Sequence, residues 1–389
     1  VYQLVENSAQ LENALEELYK QPIVAFDLEF DRDRHTYGFD LCLLQIGYDN
    51  KCLIIDPVGI EDMQPIFDFF ENPTVKKLVH CPGEDMRLLH SLKCYPKNIA
   101  DTEVMAKLLN YEQTSLARLL EAKCDVVLNK KQQQSNWHNR PLHADQLSYA
   151  ADDVLYLLKL YDILLAEINQ KGFTEMITDE CEWLQTVRYT LEPKTNFLKP
   201  GDLRNMSPRD GFILNEIFLL RDKIAQKKNK PAYMIMPEES VRKLADRTLD
   251  YTNIAAIPGL HPSLRNGKTA AELQESIYQI FSIANKNGLA KSVNRGWNSE
   301  EDKYLFYERK RMQVQLKEKL FEPVQKRLSE QLGAFAARYV FSNGWITKWF
   351  AGEVKWEDMQ PPYKRKLIED IAKELELPIG DIEQYESLK

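Results

Sequence analysis

Four acids and one phenol carry the chemistry that this chain offers. Asp27 and Glu29 stand in VAFDLEFD, Asp85 in LVHCPGED, and Tyr149 and Asp153 in LSYAADDVLYLL. Asp27 and Glu29 are two positions apart in an apolar, strand-like run, so both carboxylates leave one face of a sheet. Tyr149 and Asp153 are four apart in a helix-like run, so phenol and carboxylate share one helix face. Three short segments can therefore bring four carboxylates to one point. Hard oxygen ligands gathered in this way suit a pair of divalent cations and the hydrolysis of a phosphodiester. Asp-x-Glu alone says little, because acids near strand ends often cap or pair with neighbours. The full set says more: a carboxylate kept beside the packed face of an apolar helix needs neutralising, and a cation does that.

The elements that must position these groups read as α/β over residues 1–170. SAQLENALEELYK is a helix capped by Asn7 or Ser8. PIVAFDLEF is a buried strand, and LCLLQIGY and KCLIIDPV are strands joined as a hairpin at Asp49-Asn50. Further on, VKKLVH and NIADTE read as strands that alternate with helices, Asp101 and Thr102 capping the helix TEVMAKLLN. ADQLSYAADDVLYLLKLYDILLAEINQ reads as one long helix. Hairpin strands followed by strands alternating with helices predict a mixed sheet flanked by helices. Residues 171–206 read as a helix and then a linker, LEPKTNFLKPGDLRNMSP, rich in Pro, Gly and Asn. Everything beyond reads as helical, in two regions of similar length and type, 207–290 and 291–389. The connector WNSEED and one long helix over KYLFYERKRMQVQLKEKLFEPVQKRLSEQL open the second, in which Trp345 and Trp349 face inward.

With 389 residues, 44% hydrophobic and 28% charged, the chain has the composition of a globular protein of two or three domains. No stretch approaches the roughly 20 apolar residues of a membrane span, and the N-terminus, read as a trimmed one because it opens on Val1, has no signal-like core. Six cysteines without a CxxC read as reduced thiols rather than zinc ligands, which fits the cytoplasm. A net charge of −8 speaks against indiscriminate nucleic-acid binding. Local basic clusters remain: Lys227, Lys228 and Lys230; Arg309, Lys310 and Arg311; Lys364, Arg365 and Lys366.

The set DLEF, HCPGED and YAADD resembles the DEDD exonucleases of the subgroup with Tyr in the third motif. IADTEVMAKLL, SLARLL and SNWHNRPLHADQLSYAADDVLYLL look like the ribonuclease D family. LRDKIAQKKNKPAYMIMPEESVRKLA and IPGL are similar to its helicase-and-RNase-D C-terminal (HRDC) domain, and FAARYVFSNGWITKWFAGEVKWEDM to its second, divergent HRDC-like domain. The resemblance implies an RNase H-like mixed-sheet exonuclease domain at 1–170, helix and linker at 171–206, an all-α HRDC domain at 207–290 and an HRDC-like one at 291–389. It also implies a 3′–5′ exoribonuclease that releases 5′-nucleotides from structured RNA such as tRNA precursors. No membrane and no obligate protein partner are implied.

By the resemblance, Asp27, Glu29, Asp85 and Asp153 bind two divalent ions, Mg²⁺ or Mn²⁺, about 4 Å apart, and Tyr149 orients the attacking water. The spacing Tyr-x-x-x-Asp selects Asp153 over the adjacent Asp152. Leu28 and Phe30 flank Glu29 where the terminal base and sugar would sit, and Leu28 replaces the Thr of many relatives. His80 and Arg140 are further candidates to touch substrate, the alternative being a packed His80 and an Arg140 that, with Trp137 and Pro141, fixes the approach of the Tyr149 helix. Lys227, Lys228, Lys230 and Tyr233 would meet RNA by charge and stacking. If the helical regions funnel RNA to the site, deleting 207–389 weakens binding of structured RNA more than hydrolysis of a short strand. Rival readings are a DNA exonuclease of the same chemistry, an RNA-binding protein with a silent nuclease domain, and a scaffold. The intact set of four acids and Tyr149 argues against the last two.

Overall fold

The structure, a computed structural model, describes residues 2–190, 192–292 and 299–379. The chain divides into two compact units. One takes Val1–Glu29, Leu41–Thr190 and Ser299–Lys389, the other Phe30–Asp40 and Leu191–Asn298.

In the first unit the chain runs β1 (Tyr2–Val5), α1 (Ser8–Leu18), β2 (Ile23–Arg32), β3 (Phe39–Tyr48), β4 (Lys51–Ile55), α2 (Gln64–Glu71), β5 (Lys76–Val79), α3 (Gly83–Ser91), β6 (Ile99–Asp101), α4 (Thr102–Leu108), α5 (Leu116–Cys124), α6 (Ala144–Leu155), α7 (Leu157–Lys171) and α8 (Thr174–Thr186). The six strands form one sheet in the order β1-β4-β3-β2-β5-β6. β3 and β4 pair antiparallel, whereas β1–β4, β2–β5 and β5–β6 pair parallel. This is the mixed sheet the sequence implies. Asp49 and Asn50 both take positive φ, 45° and 60°, which suits a tight hairpin between paired Tyr48 and Lys51. Asn7, not Ser8, caps α1 by accepting from the Gln10 N–H at 3.0 Å. The edge strand β1 has no alternating pattern over its four residues and escaped the sequence reading. The long helix expected at 144–170 is two, α6 and α7, which break at Tyr156. Just before that break α6 lies hard against the sheet: a Cβ on Gly47 would stand 2.8 Å from Val154 O.

The same unit contains α14 (Glu300–Leu316), α15 (Glu322–Leu332), α16 (Ala334–Val340), α17 (Asn343–Phe350) and α18 (Pro362–Glu374). The expected single helix is interrupted by a π-helical turn, Lys317–Phe321, directly ahead of Pro323. Proline lacks the N–H that would continue an α-ladder, and a wider turn absorbs the mismatch. Trp349 is buried and Trp345 half-buried. Trp297 and Asn298 of the expected connector, and the last ten residues, lie outside the described residues.

The second unit contains α9 (Pro200–Asn205), α10 (Pro208–Lys228), α11 (Ala232–Ile235), α12 (Glu238–Ala245) and α13 (Gly267–Lys286). They enclose their own core, with Ile213, Ile217, Val241, Leu244, Ile277 and Phe281 buried. The loop after β2 belongs here. Asp31 gathers the Arg34, His35 and Thr36 N–H groups. Tyr37 donates its hydroxyl to Asp222 at 2.9 Å and its N–H to Asn229 Oδ1, while Tyr233 donates to Arg34 O at 2.9 Å.

Candidate active site

β2 carries Asp27 and Glu29 on one face, and α6 carries Tyr149 and Asp153. A carboxylate oxygen from each of Asp27, Glu29 and Asp153 lies within 4.8 Å of the others. Asp152, the neighbour that spacing set aside, is not in this group. Asp85 enters from the first turn of α3, only 6% exposed, and its charge is felt by both Asp27 and Glu29.

Such crowding has an electrostatic cost. Burial, then Asp85, holds Asp27 well above the usual carboxylate range, although the Leu28 N–H bond opposes this. Burial, then Asp27, Asp153 and Asp85, does the same to Glu29. Burial pushes Asp85 to about 7, and burial with the Asp27 charge pushes Asp153 to about 8. Like charges in a water-poor site cannot all ionise without a counter-charge. The donors are hard oxygens, the type that Mg²⁺ and Mn²⁺ prefer, so the residues present fit divalent cations. Tyr149 is raised further above its ordinary value by burial and by the Asp153 carboxylate to which it is hydrogen-bonded. It keeps its proton at neutral pH, so its hydroxyl is available to donate.

The other expected residues divide. Leu28 is 4% exposed, so its side chain lies in the core and its backbone is what it would offer a nucleotide. Phe30 is half-buried, edge-on to Phe39 with centroids 5.1 Å apart. His80 is held by Thr102 Oγ1 at 2.9 Å, and burial depresses its pKa to about 4, so the ring is neutral. Arg140 matches the bracing alternative. Its guanidinium donates to both Asp56 oxygens and to the carbonyls of Trp137, Asn139 and Cys42. Lys227 and Lys228 close α10, where cations favour the helix dipole, and Lys230 follows the left-handed Asn229. All three belong to the other compact unit. Asp101 caps α4 through the Glu103 N–H at 2.8 Å and ties in the Cys81 N–H at 3.0 Å.

Two residues near this chemistry escaped the sequence reading of the site. Trp137 was read as scaffold, and it packs against Tyr149 at 6.1 Å between centroids. Gln45, on β3, is fully buried. One polar residue inside the apolar run LCLLQIGY was the available signal.

A 3′–5′ exonuclease family model matches residues 2–169. Ribonuclease D of Serratia proteamaculans is 30% identical over 289 residues, 71% of this chain and 77% of that protein. The chain belongs to the ribonuclease D family. Ribonuclease D of Haemophilus influenzae is likewise 30% identical, over 72% of this chain and 70% of its own. Among solved structures, Escherichia coli RNase D superposes with a TM-score of 0.68 at 20% identity, covering 96% of this chain and 99% of that one. The catalytic core of Trypanosoma brucei RRP6 gives 0.66 at 24% identity, over 73% and 80%. These two show the shared fold; the ribonuclease D relatives and the matched exonuclease family make the chain a 3′–5′ exoribonuclease.

Proposed function

We propose that this family member trims the 3′ ends of structured RNA such as tRNA precursors, releasing 5′-nucleotides with the help of two divalent cations, Mg²⁺ or Mn²⁺. The observation that carries the reading is the convergence of Asp27, Glu29 and Asp153 within 4.8 Å, with Asp85 beside them. When bound, the cations supply Lewis acidity at the scissile phosphate and at the attacking water. The protein's own part is to hold four carboxylates in a crowded, preorganised array. Tyr149 keeps its proton and directs the attacking water by hydrogen bonding, while Trp137 fixes its ring.

The choice of RNA draws support from E. coli RNase D, described as an exoribonuclease involved in structured RNA processing. The helical stretches 207–290 and 291–389 act in this reading as HRDC and HRDC-like domains, with Lys227, Lys228 and Lys230 as phosphate contacts. Tyr233 already spends its hydroxyl on Arg34 O, so its ring, 53% exposed, is what remains for stacking. The place of action is the cytoplasm, and no obligate protein partner is invoked. No helix among the described residues is long and apolar enough to cross a membrane, and none of the six cysteines is paired.

Purified protein with Mg²⁺ or Mn²⁺ is expected to shorten a 3′-hydroxyl RNA stepwise to mononucleotides. Asp27→Ala and Asp153→Asn are each expected to abolish this while the thermal transition survives. Activity persisting in both variants would refute the site. Matched RNA and DNA strands, and a tRNA precursor beside an unstructured strand, test the substrate.

A further inference from the structure

Gln45 sits in the middle of an apolar strand. It is 0% exposed, and neither its amide nitrogen nor its amide oxygen has a hydrogen-bond partner among the described residues. A buried, unpaired amide costs free energy that a leucine or methionine of similar volume would not. The surrounding strand shows the cheaper solution: Leu43, Leu44 and Ile46 are all buried hydrocarbons. Rules of this kind are broken mostly at functional sites.

The register says which face the amide occupies. Gln45 pairs with Ile54 and Gly47 with Cys52. Gly47 is the residue pressed against Val154 of α6, so Gln45, two positions away, faces the same helix. Ile54, Val154 and Ala25 share one core cluster. Asp27 is two positions beyond Ala25 on β2, and β2 is the neighbour of β3 in the sheet. Gln45 and Asp27 thus occupy the same face of adjacent central strands, both beneath the helix that carries Tyr149 and Asp153. Asp27 is half-buried and is bonded by the Leu28 N–H.

We propose that Gln45 is a positioning residue for Asp27, acting through one buried water that accepts from the amide nitrogen and donates to the carboxylate. A buried water needs two to four polar partners, and this face of the sheet offers an unsatisfied donor, an unsatisfied acceptor and a carboxylate. The water orients the Asp27 oxygens for cation binding. The inference rests on the metal-site reading above, and it assigns Gln45 no contact with substrate.

The test uses the full chain with Gln45→Met and Gln45→Leu, measured beside wild type and Asp27→Ala. In chelator, Gln45→Met should still unfold cooperatively, since methionine fills the volume of the amide. Mn²⁺ affinity by calorimetry should fall about 10- to 100-fold, the range for partners that orient metal ligands. At saturating Mn²⁺, kcat on a short RNA should fall while KM stays. A high-resolution crystal structure of the wild type should show the water between Gln45 and Asp27. Unchanged Mn²⁺ affinity and kcat in either variant would overturn the proposal, whatever happens to stability. So would a crystal structure with no water there and the amide bonded elsewhere, a result that stands even if both variants fail to fold. Full activity in Asp27→Ala would instead bring down the metal site itself.

Discussion

The two helical regions read alike in the sequence and do different work in the fold. Residues 207–290 bury their apolar faces against one another, and their core contains Ile213, Phe218, Leu244 and Phe281. Residues 299–379 do not close on themselves. Val324, Leu328, Ala336, Val340, Ile368 and Ile371 belong to the same continuous cluster as Ala106, Leu108 and Leu160 of the exonuclease. Polar bonds follow the same division. Asn110 Oδ1 accepts from the Phe335 and Ala336 N–H groups at the start of α16, and any side chain on Gly333 would collide with Asn110. Glu180 of α8 meets Lys364 at 2.9 Å and the Tyr363 hydroxyl at 2.7 Å. An apolar stripe at helical period states that a face will be buried; it does not state against what.

The largest effect tests this division directly. Deleting 299–389 strips α4 and α8 of packing, and is expected to abolish folding and hydrolysis of every substrate. Replacing 192–298 by a flexible linker should leave a cooperative thermal transition and hydrolysis of a short strand. The loop 31–38, which loses Asp222, Asn229 and Tyr233, is the part expected to suffer. Deleting 207–389 as a block mixes the two effects. A soluble, active protein without 299–389 would break the comparison.

Next in size is the buried pair. Glu180 and Lys364 side chains are only 4% and 10% exposed, so Glu180→Ala leaves a lysine uncompensated and should cost about 3–5 kcal/mol in urea unfolding. The bidentate pair Arg242–Asp202 of the other unit has an arginine side chain 31% exposed. Asp202→Ala is expected to cost about 1 kcal/mol or less there, after allowance for solvent screening. Equal costs would remove the contrast.

The last contrast is one of pH, and it has opposite signs in the two units. Asp85 and Asp153 are raised, to about 7 and about 8, so without cations the unfolded state gives up these protons first. That contribution to stability falls as pH rises from about 4 to about 8. Asp202 and Glu238 are lowered, chiefly by the Arg242 and Lys199 bonds, so their contribution is present at neutral pH and is lost as pH falls below about 4. Calorimetry in chelator should show the exonuclease transition moving down between pH 5 and pH 8, and added Mn²⁺ should raise it more at pH 8 than at pH 5. A transition that rises over this range, or a larger Mn²⁺ effect at pH 5, would contradict the raised carboxylates.

Much of the site was legible because its parts are local. Asp27 with Glu29, and Tyr149 with Asp153, are set by the periods of strand and helix, and Asp49-Asn50 and Asp101 by turn and cap chemistry. The partner of Arg140 was not legible, because Asp56 lies 84 positions away.

Within a few residues of any point, side-chain spacing and capping leave the backbone little choice, and so the chain alone specified strands, helices, the hairpin and the candidate ligands. Which strands lie side by side, that β2 and α6 bring three carboxylates within 4.8 Å, and that Phe335 finds Asn110 across 225 positions were decided by packing between distant segments. Hydrophobic burial is non-directional, so the same helical pattern serves equally well at 207–290 and at 299–379. Only the shape of the surface each region meets assigns one to a unit of its own and the other to the exonuclease.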